Sequence, residues 1–201
     1  MRSRSRLLRL LAPVALALCS SAAVTVAPAP ARASLVMALD LPQMVERADQ
    51  IAVVDVQSVE AAWDEKHERI LTTIDLTVVE AWKGTMGPAM HVKVVQPGGT
   101  VGDVTMKVFG LTQFTPGERA LVFLRGSQAG ASVVGMAQGK RLLRRDVTTK
   151  RWMVQAPNRS GAMFVPPKAS SSAAPVFDSR QRALDDVRVE IRDLVGKASR
   201  R

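Results

Sequence analysis

Hydrophobic and polar positions change period several times along this chain, and each change marks an element. Leu41, Met44, Val45 and Ala48 fall at i, i+3, i+4 and i+7, with Pro42 near the start and Glu46, Arg47 and Asp49 on the other face. That spacing predicts a short amphipathic helix laid on a core. The period then drops to two. Ile51 to Trp63 and Ile70 to Trp82 are β-branched runs, and in the second Ile74, Leu76 and Val78 alternate with Asp75 and Thr77. The polar stretch Asp64-Glu65-Lys66-His67-Glu68-Arg69 between them reads as a hairpin turn. Met90, Val92 and Val94 alternate with His91 and Lys93 until Gln96-Pro97-Gly98-Gly99 stops the strand. Val104, Met106 and Val108 alternate with Thr105 and Lys107, and Thr115-Pro116-Gly117-Glu118 supplies the next turn. Ala120 to Leu124 is apolar at every position, which predicts a strand covered on both faces.

Ser132 to Met136, Lys140 to Arg144 and Arg151 to Val154 complete the strands, the last two joined by Asp146-Val147-Thr148-Thr149. Many short strands with one helix at the start argue for a closed or nearly closed antiparallel barrel, a sandwich being the alternative. Residues 34–155 make this domain. Residues 156–177 hold Pro157, Pro166, Pro167 and Pro175 and the small-residue tract Lys168 to Ala174, so they read as an extended linker. In 178–201, Asp178 and Gln181 fit a capping box, and Leu184, Val187, Ile191, Leu194 and Val195 recur at helical spacing. The chain therefore ends in an amphipathic helix that needs a surface to pack on, either the barrel or a partner.

The first 33 residues have a different pattern. Arg2, Arg4, Arg6 and Arg9, the apolar run Leu10 to Leu18, and Ala31-Arg32-Ala33 before Ser34 have the layout of an export signal cleaved after Ala33. The uncharged run Leu10 to Ala31 is long enough for a retained anchor, but Pro13, Pro28, Pro30 and its Ser/Thr content dilute it, and Leu18 occupies the position where a lipid-modified Cys19 needs a small neighbour. The expected location is secreted or periplasmic, with no transmembrane segment after cleavage.

Removing this leader changes the composition. Five of the 28 Lys and Arg residues and none of the 18 acids lie in it, which leaves 23 basic and 18 acidic side chains in the remaining 168 residues. The single cysteine, Cys19, leaves too, so disulfides, Cys-ligated zinc and a cysteine nucleophile are excluded from the mature chain. Residues 34–138 carry 8 basic and 12 acidic side chains, whereas 139–201 carry 15 and 6. Lys140, Arg141, Arg144, Arg145, Lys150 and Arg151 fall on one hairpin, and such a patch suits an anionic partner: an envelope component such as lipid A phosphates or acidic polysaccharide, or a secreted acidic protein. Nucleic acid is not expected, because the chain has no tyrosine, interleaves few aromatics with its cations and carries a leader.

Two sets of residues bear a resemblance. Arg47-Ala48-Asp49-Gln50-Ile51-Ala52-Val53-Val54, Ser58-Val59-Glu60 and Val78-Val79-Glu80-Ala81-Trp82-Lys83-Gly84 resemble the start of netrin-like or tissue-inhibitor-of-metalloproteinase-like OB-fold domains in secreted bacterial proteins. Gln96-Pro97-Gly98-Gly99, Val101-Gly102-Asp103, Phe114 with Pro116-Gly117-Glu118, Leu121-Val122-Phe123-Leu124 and Val134-Gly135-Met136-Ala137-Gln138-Gly139-Lys140 resemble uncharacterised bacterial secreted proteins. The resemblance implies a mainly β, antiparallel OB-like barrel of five strands with extra strands, a short N-terminal helix and a C-terminal amphipathic helix. It does not carry inhibition with it, since animal inhibitors of this fold chelate zinc through an N-terminal cysteine and the expected first residue here is Ser34.

Candidate chemistry is sparse. His67 lies in a charged turn and His91 on a strand's polar face, without metal-ligand spacing. Asp64, Glu65 and Glu68 lack the glycine bend of a calcium loop. Asp103 reads as an Asx-turn residue. The eight methionines from Met37 to Met163 are dispersed as core filler rather than clustered as copper ligands. Trp63 and Trp82 are expected to close the barrel ends, an exposed binding face being the alternative. No catalytic residue, metal or cofactor is expected. The leading reading is an exported, non-enzymatic binding module of the bacterial envelope or secretome. The alternative is a secreted hydrolase using His91 and loop carboxylates, or an accessory or inhibitor subunit of a secreted protease.

Overall fold

The computed structural model describes residues 35–127, 130–156, 163–165, 181–198 and 200. The chain divides into Met1–Arg32 and Ala33–Arg201, and all described residues lie in the second unit. The leader expected at 1–33, Asp178 and most of the 156–177 stretch lie outside them. In order, the elements are β1 (Leu35–Met37), α1 (Leu41–Arg47), β2 (Gln50–Trp63), β3 (Ile70–Lys83), β4 (His91–Pro97), β5 (Gly99–Val101) and β6 (Val104–Met106). They continue as β7 (Arg119–Ser127), β8 (Gly130–Val133), a 3-10 turn (Met136–Gly139), β9 (Lys140–Arg145), β10 (Trp152–Val154), β11 (Met163–Val165), β12 (Arg182–Ala183) and α2 (Leu184–Ala198).

One mixed sheet dominates, with strand order β12-β10-β9-β7-β2-β3-β4-β8. An additional β7–β8 pairing closes β7, β2, β3, β4 and β8 into a ring of five strands. The expectation of a purely antiparallel sheet is corrected here. Four junctions of the ring are antiparallel, but β4 and β8 meet in parallel at Val94 and Ala131. The reason is arithmetic: an odd ring cannot alternate direction all the way round, so one neighbouring pair must run the same way.

The ring has an apolar interior and a second apolar layer outside it. Val54, Val56, Ile74, Leu76, Val78, Val92, Val94, Phe114, Ala120, Val122 and Leu124 fill the interior. Ile51, Val53, Leu121, Phe123, Leu143 and Val154 face outward and are covered by Met44 and Val45 of α1 and Leu184, Val187 and Ile191 of α2. β7 is therefore buried on both faces, as its unbroken apolar run predicts. The C-terminal helix packs on the sheet of its own chain. It begins at Leu184, six residues beyond Asp178, because Arg182–Ala183 pairs with β10 as a short edge strand; Asp185 and Asp186 then occupy the favourable first turn. α1 starts with a capping box in which Asp40 accepts from the Gln43 N–H and the Gln43 side chain accepts from the Asp40 N–H.

Bulges shape the β2–β3 hairpin. Its register shifts at Ile51/Ala52, Val53/Val54 and Val56/Ser58, so Trp82, Val79 and Gln57 are extra residues in the ladder. Each bulge bends its strand and flips the facing of the residues beyond it. Trp82, expected at a barrel end, is thereby carried into the helix-side layer, where it is buried. Trp63 instead sits at the hairpin tip and stacks on His67, with ring centroids 6.3 Å apart.

Two further expectations change. The alternating stretch from Val104 gives only a three-residue strand paired with β5, and Val104, Val108 and Phe109 are exposed, so this alternation does not mark a core. Met163–Val165, within the stretch read as a linker, pairs in parallel with β1. The double glycine after β4 is required by geometry. Gly98 and Gly99 have φ of 104° and 131°, and a Cβ on Gly99 would lie 2.7 Å from both Ala61 Cβ and Thr72 Oγ1.

Candidate binding surface

The β9–β10 hairpin carries all six cations expected to form a patch, and the structure divides them. Strand alternation places Arg141, Leu143 and Arg145 on one face and Lys140, Leu142 and Arg144 on the other. Lys140 is removed from the patch altogether. Its side chain is 10% exposed, pairs with the Glu118 carboxylate, donates to the Gln113 carbonyl at 2.5 Å and lies 4.6 Å from the centre of the Phe114 ring. Burial lowers the Lys140 pKa from its ordinary 10.5, opposed by the hydrogen bond and charge of Glu118. Phe114, Glu118 and Lys140, drawn from two of the sequence motifs, thus meet as one internal tie. A fourth motif residue, Gln138, is fully buried and satisfied: it accepts from the Leu39 N–H at 2.8 Å and donates to the Gly135 carbonyl at 3.1 Å.

The other end of the hairpin remains in solvent. Arg144, Arg145, Lys150 and Arg151 are exposed. Among the described residues Arg144 and Lys150 have no acidic partner, Arg145 Nε donates to the Lys150 carbonyl at 3.0 Å, and Arg151 reaches Asp185 only at 3.5 Å. The turn between them is held by Asp146, whose Oδ1 accepts from the Thr148 N–H at 3.0 Å, the Thr149 N–H at 2.6 Å and the Thr149 hydroxyl at 2.9 Å. Those bonds, the Thr149 N–H first, lower the Asp146 pKa. This is the Asx-type turn that the sequence suggested for Asp103, which instead stands exposed between β5 and β6.

Beside the hairpin lies an open cleft of about 800 Å³, lined by Asp55, Gln57, Glu118, Arg119, Arg144 and Trp152 together with apolar and turn residues. Gln57 reaches it because it is the extra residue of a β2 bulge. Arg119 makes a two-pronged pair with Asp55, Nε to Oδ1 at 2.6 Å and Nη2 to Oδ2 at 2.7 Å, and its guanidinium lies 5.0 Å from the centre of the Trp152 ring. The Asp55 hydrogen bond raises the Arg119 pKa further. Both ion pairs bordering the cleft are internally compensated, which leaves Arg144 as its uncompensated charge. Sequence reasoning missed Asp55 and Arg119, 64 positions apart. The available signal was an acid inside one apolar strand run, between Val54 and Val56, and a base at the start of another.

The remaining candidates are not brought together. His91 Nδ1 lies 3.3 Å from Asp75 Oδ1 on the exposed face of β3 and β4, away from Asp103. Asp64 closes its own hairpin by accepting from the Glu68 and Arg69 N–H groups and pairing with Arg69 Nε, and the Glu68 N–H leads in lowering its pKa. Among the described residues no group of three His, Cys, Asp or Glu side chains is placed to hold a metal ion. No helix among them is long and apolar enough to cross a membrane. In comparisons with protein-family models, curated proteins and solved structures, nothing matches this chain.

Proposed function

We propose that this protein is an exported, non-enzymatic binding module that holds an anionic component of the bacterial envelope or secretome on its β9–β10 hairpin. The observation that carries this is the state of the hairpin's charges. Arg144 and Lys150 are exposed without acidic partners among the described residues, Arg145 and Arg151 flank them, and the turn that displays them is fixed by Asp146. A pre-set cluster of like charges favours an anionic partner and loses little freedom when it binds. The adjoining cleft supplies Trp152 and Gln57 for contacts that charge alone does not make.

The architecture supports a module of OB type. Counted along the ring, the strands run in the order first, second, third, fifth, fourth and back to first, with the third and fifth parallel. That connectivity fits the OB arrangement, a fold used for oligosaccharide and oligonucleotide recognition. The same connectivity supports the netrin-like resemblance, and the arginine-rich leader pattern supports export.

The test is titration with a soluble polyanion, dextran sulfate, at low and high salt. Parent protein is expected to bind, to weaken as salt screens the hairpin, and to weaken further in the Arg144→Gln/Lys150→Gln double variant. Binding that ignores both salt and the double substitution overturns the proposal, as does no binding at low salt.

A further inference from the structure

We infer that the anionic partner of this hairpin is a lipid surface, and that Val147 is the residue that enters it. The inference rests on the binding face proposed above and names its occupant. Val147 is at the apex of the turn and is 82% exposed, more than any other large hydrophobic residue described; Val189 is next at 61% and Phe109 at 50%. Arg144 and Arg145 precede it and Lys150 and Arg151 come after it, so four cations stand within four residues of an apolar tip. A soluble polyanion offers charge but no apolar layer beneath. An anionic bilayer offers both in the right order, headgroup phosphates at the level of the cations and acyl chains one side-chain length deeper.

The tip is built to hold this order. Besides the Asp146 side-chain bonds, the Asp146 N–H donates to the Arg151 carbonyl at 2.8 Å and the Lys150 N–H to the Asp146 carbonyl at 3.0 Å. Lys150 occupies the left-handed region at φ 58°, and Arg145 ties across to its carbonyl. Asp146, the acid of the tip, spends one carboxylate oxygen on the turn itself. Val147 is therefore displayed by a rigid scaffold, not left on a slack loop. The other exposed apolar stretch, Val104, Val108 and Phe109, lacks the second ingredient: its neighbouring cation Lys107 lies 5.6 Å over the Phe109 ring, with no cluster around it.

Each cation near an anionic membrane contributes about fivefold in partitioning, so Arg144→Gln/Lys150→Gln is expected to weaken vesicle binding about 25-fold. Losing the buried valine side chain in Val147→Ser should cost about tenfold. Neither change touches the core, and unaltered thermal melting confirms folding.

The experiment is co-sedimentation with vesicles of phosphatidylcholine alone and of phosphatidylcholine mixed with phosphatidylglycerol. In the chain from Ser34, which has no cysteine, Val147→Cys supplies a single thiol for an environment-sensitive fluorophore. The expected result is binding only to the anionic vesicles, a blue shift of the label on binding, and the losses above. Binding to dextran sulfate without binding to anionic vesicles overturns the lipid inference and leaves the broader function standing. A label that stays in water, or a Val147→Ser variant that partitions like the parent, overturns the role of Val147. Failure to bind either probe overturns both readings.

Discussion

Replacing Ile191 with alanine tests whether α2 is part of this fold. Ile191 is fully buried in the layer formed by Ile51, Val53, Leu121, Phe123 and Trp82 on one side and α1 on the other. Truncation removes three carbons from a packed site, and such changes cost about 2–5 kcal/mol, transfer and residual cavity together. Alanine is the better helix former, which returns a few tenths of a kcal/mol and leaves the range unchanged. Val189, two positions away on the same helix, is 61% exposed, so Val189→Ala should lie within about 0.5 kcal/mol of the parent. Urea unfolding monitored by circular dichroism reads both, and a domain of this size loses about 2–4 °C in Tm per kcal/mol. The helix must also unfold with the sheet, so Ile191→Ala should move the midpoint and keep the parent's denaturant slope. Equal small effects from the two variants would refute the docking, because a helix reserved for a partner has no buried face to lose in the isolated chain.

Two other perturbations probe the ring. Gly99→Ala should destabilise by about 1–3 kcal/mol from its left-handed backbone alone, and a Cβ 2.7 Å from Ala61 and Thr72 adds overpacking; a melting shift is the readout, with Gly102→Ala, whose Cβ meets nothing, as the control for backbone strain without crowding. Lys140 predicts an alkaline signature. Its folded pKa is lowered by burial, so the unfolded chain binds more protons between that lowered value and 10.5, and stability should rise with pH through this window. Lys140→Met should flatten that rise in urea unfolding, and the absence of tyrosine keeps phenol ionisation out of the same range.

Much of the fold was legible because local period decides local structure. The helix at Leu41–Arg47, the long β2–β3 hairpin, the doubly covered β7 and the helical stripe of α2 all come from spacing alone. What escaped depends on pairing between distant residues. The parallel contact of β4 with β8 is a consequence of ring closure, and nothing within either segment encodes it. Trp82 leaves the barrel end expected for it because the bulge at Val79 alters the phase of β3 before Trp82 is reached. Val104 to Val108 alternates cleanly, yet Val104 and Val108 stay exposed, since the short hairpin turns its β5 side, not these residues, toward β2 and β3. The site was legible only as a count of cations. That Lys140 is spent on Glu118 while Arg144 stays in solvent is a matter of burial, which the hairpin's sequence does not report.

The charge asymmetry of the chain also acquires a second meaning. The acidic excess of residues 34–138 and the basic excess of 139–201 suggested a positive lobe for a partner, but part of that difference is consumed internally. Arg188 and Arg192 of α2 both reach Glu80 on β3, at 2.8 and 3.4 Å, and Lys140 pairs with Glu118. Arg188 also lies 5.7 Å from the centre of the Trp82 ring that the bulge pushes outward. These pairs join the two halves of the sequence across the sheet. The part-exposed pairs of Arg188 and Arg192 with Glu80 contribute little stability, about 0–1 kcal/mol each, but they orient α2 on the face where its apolar stripe does the stabilising. Arg182 is paired with Glu190 as well. With those cations engaged in pairs, the tip between Arg144 and Arg151 still holds a cluster of exposed basic side chains. There the basic side chains outnumber the single Asp146, and the helix-sheet packing leaves them in water.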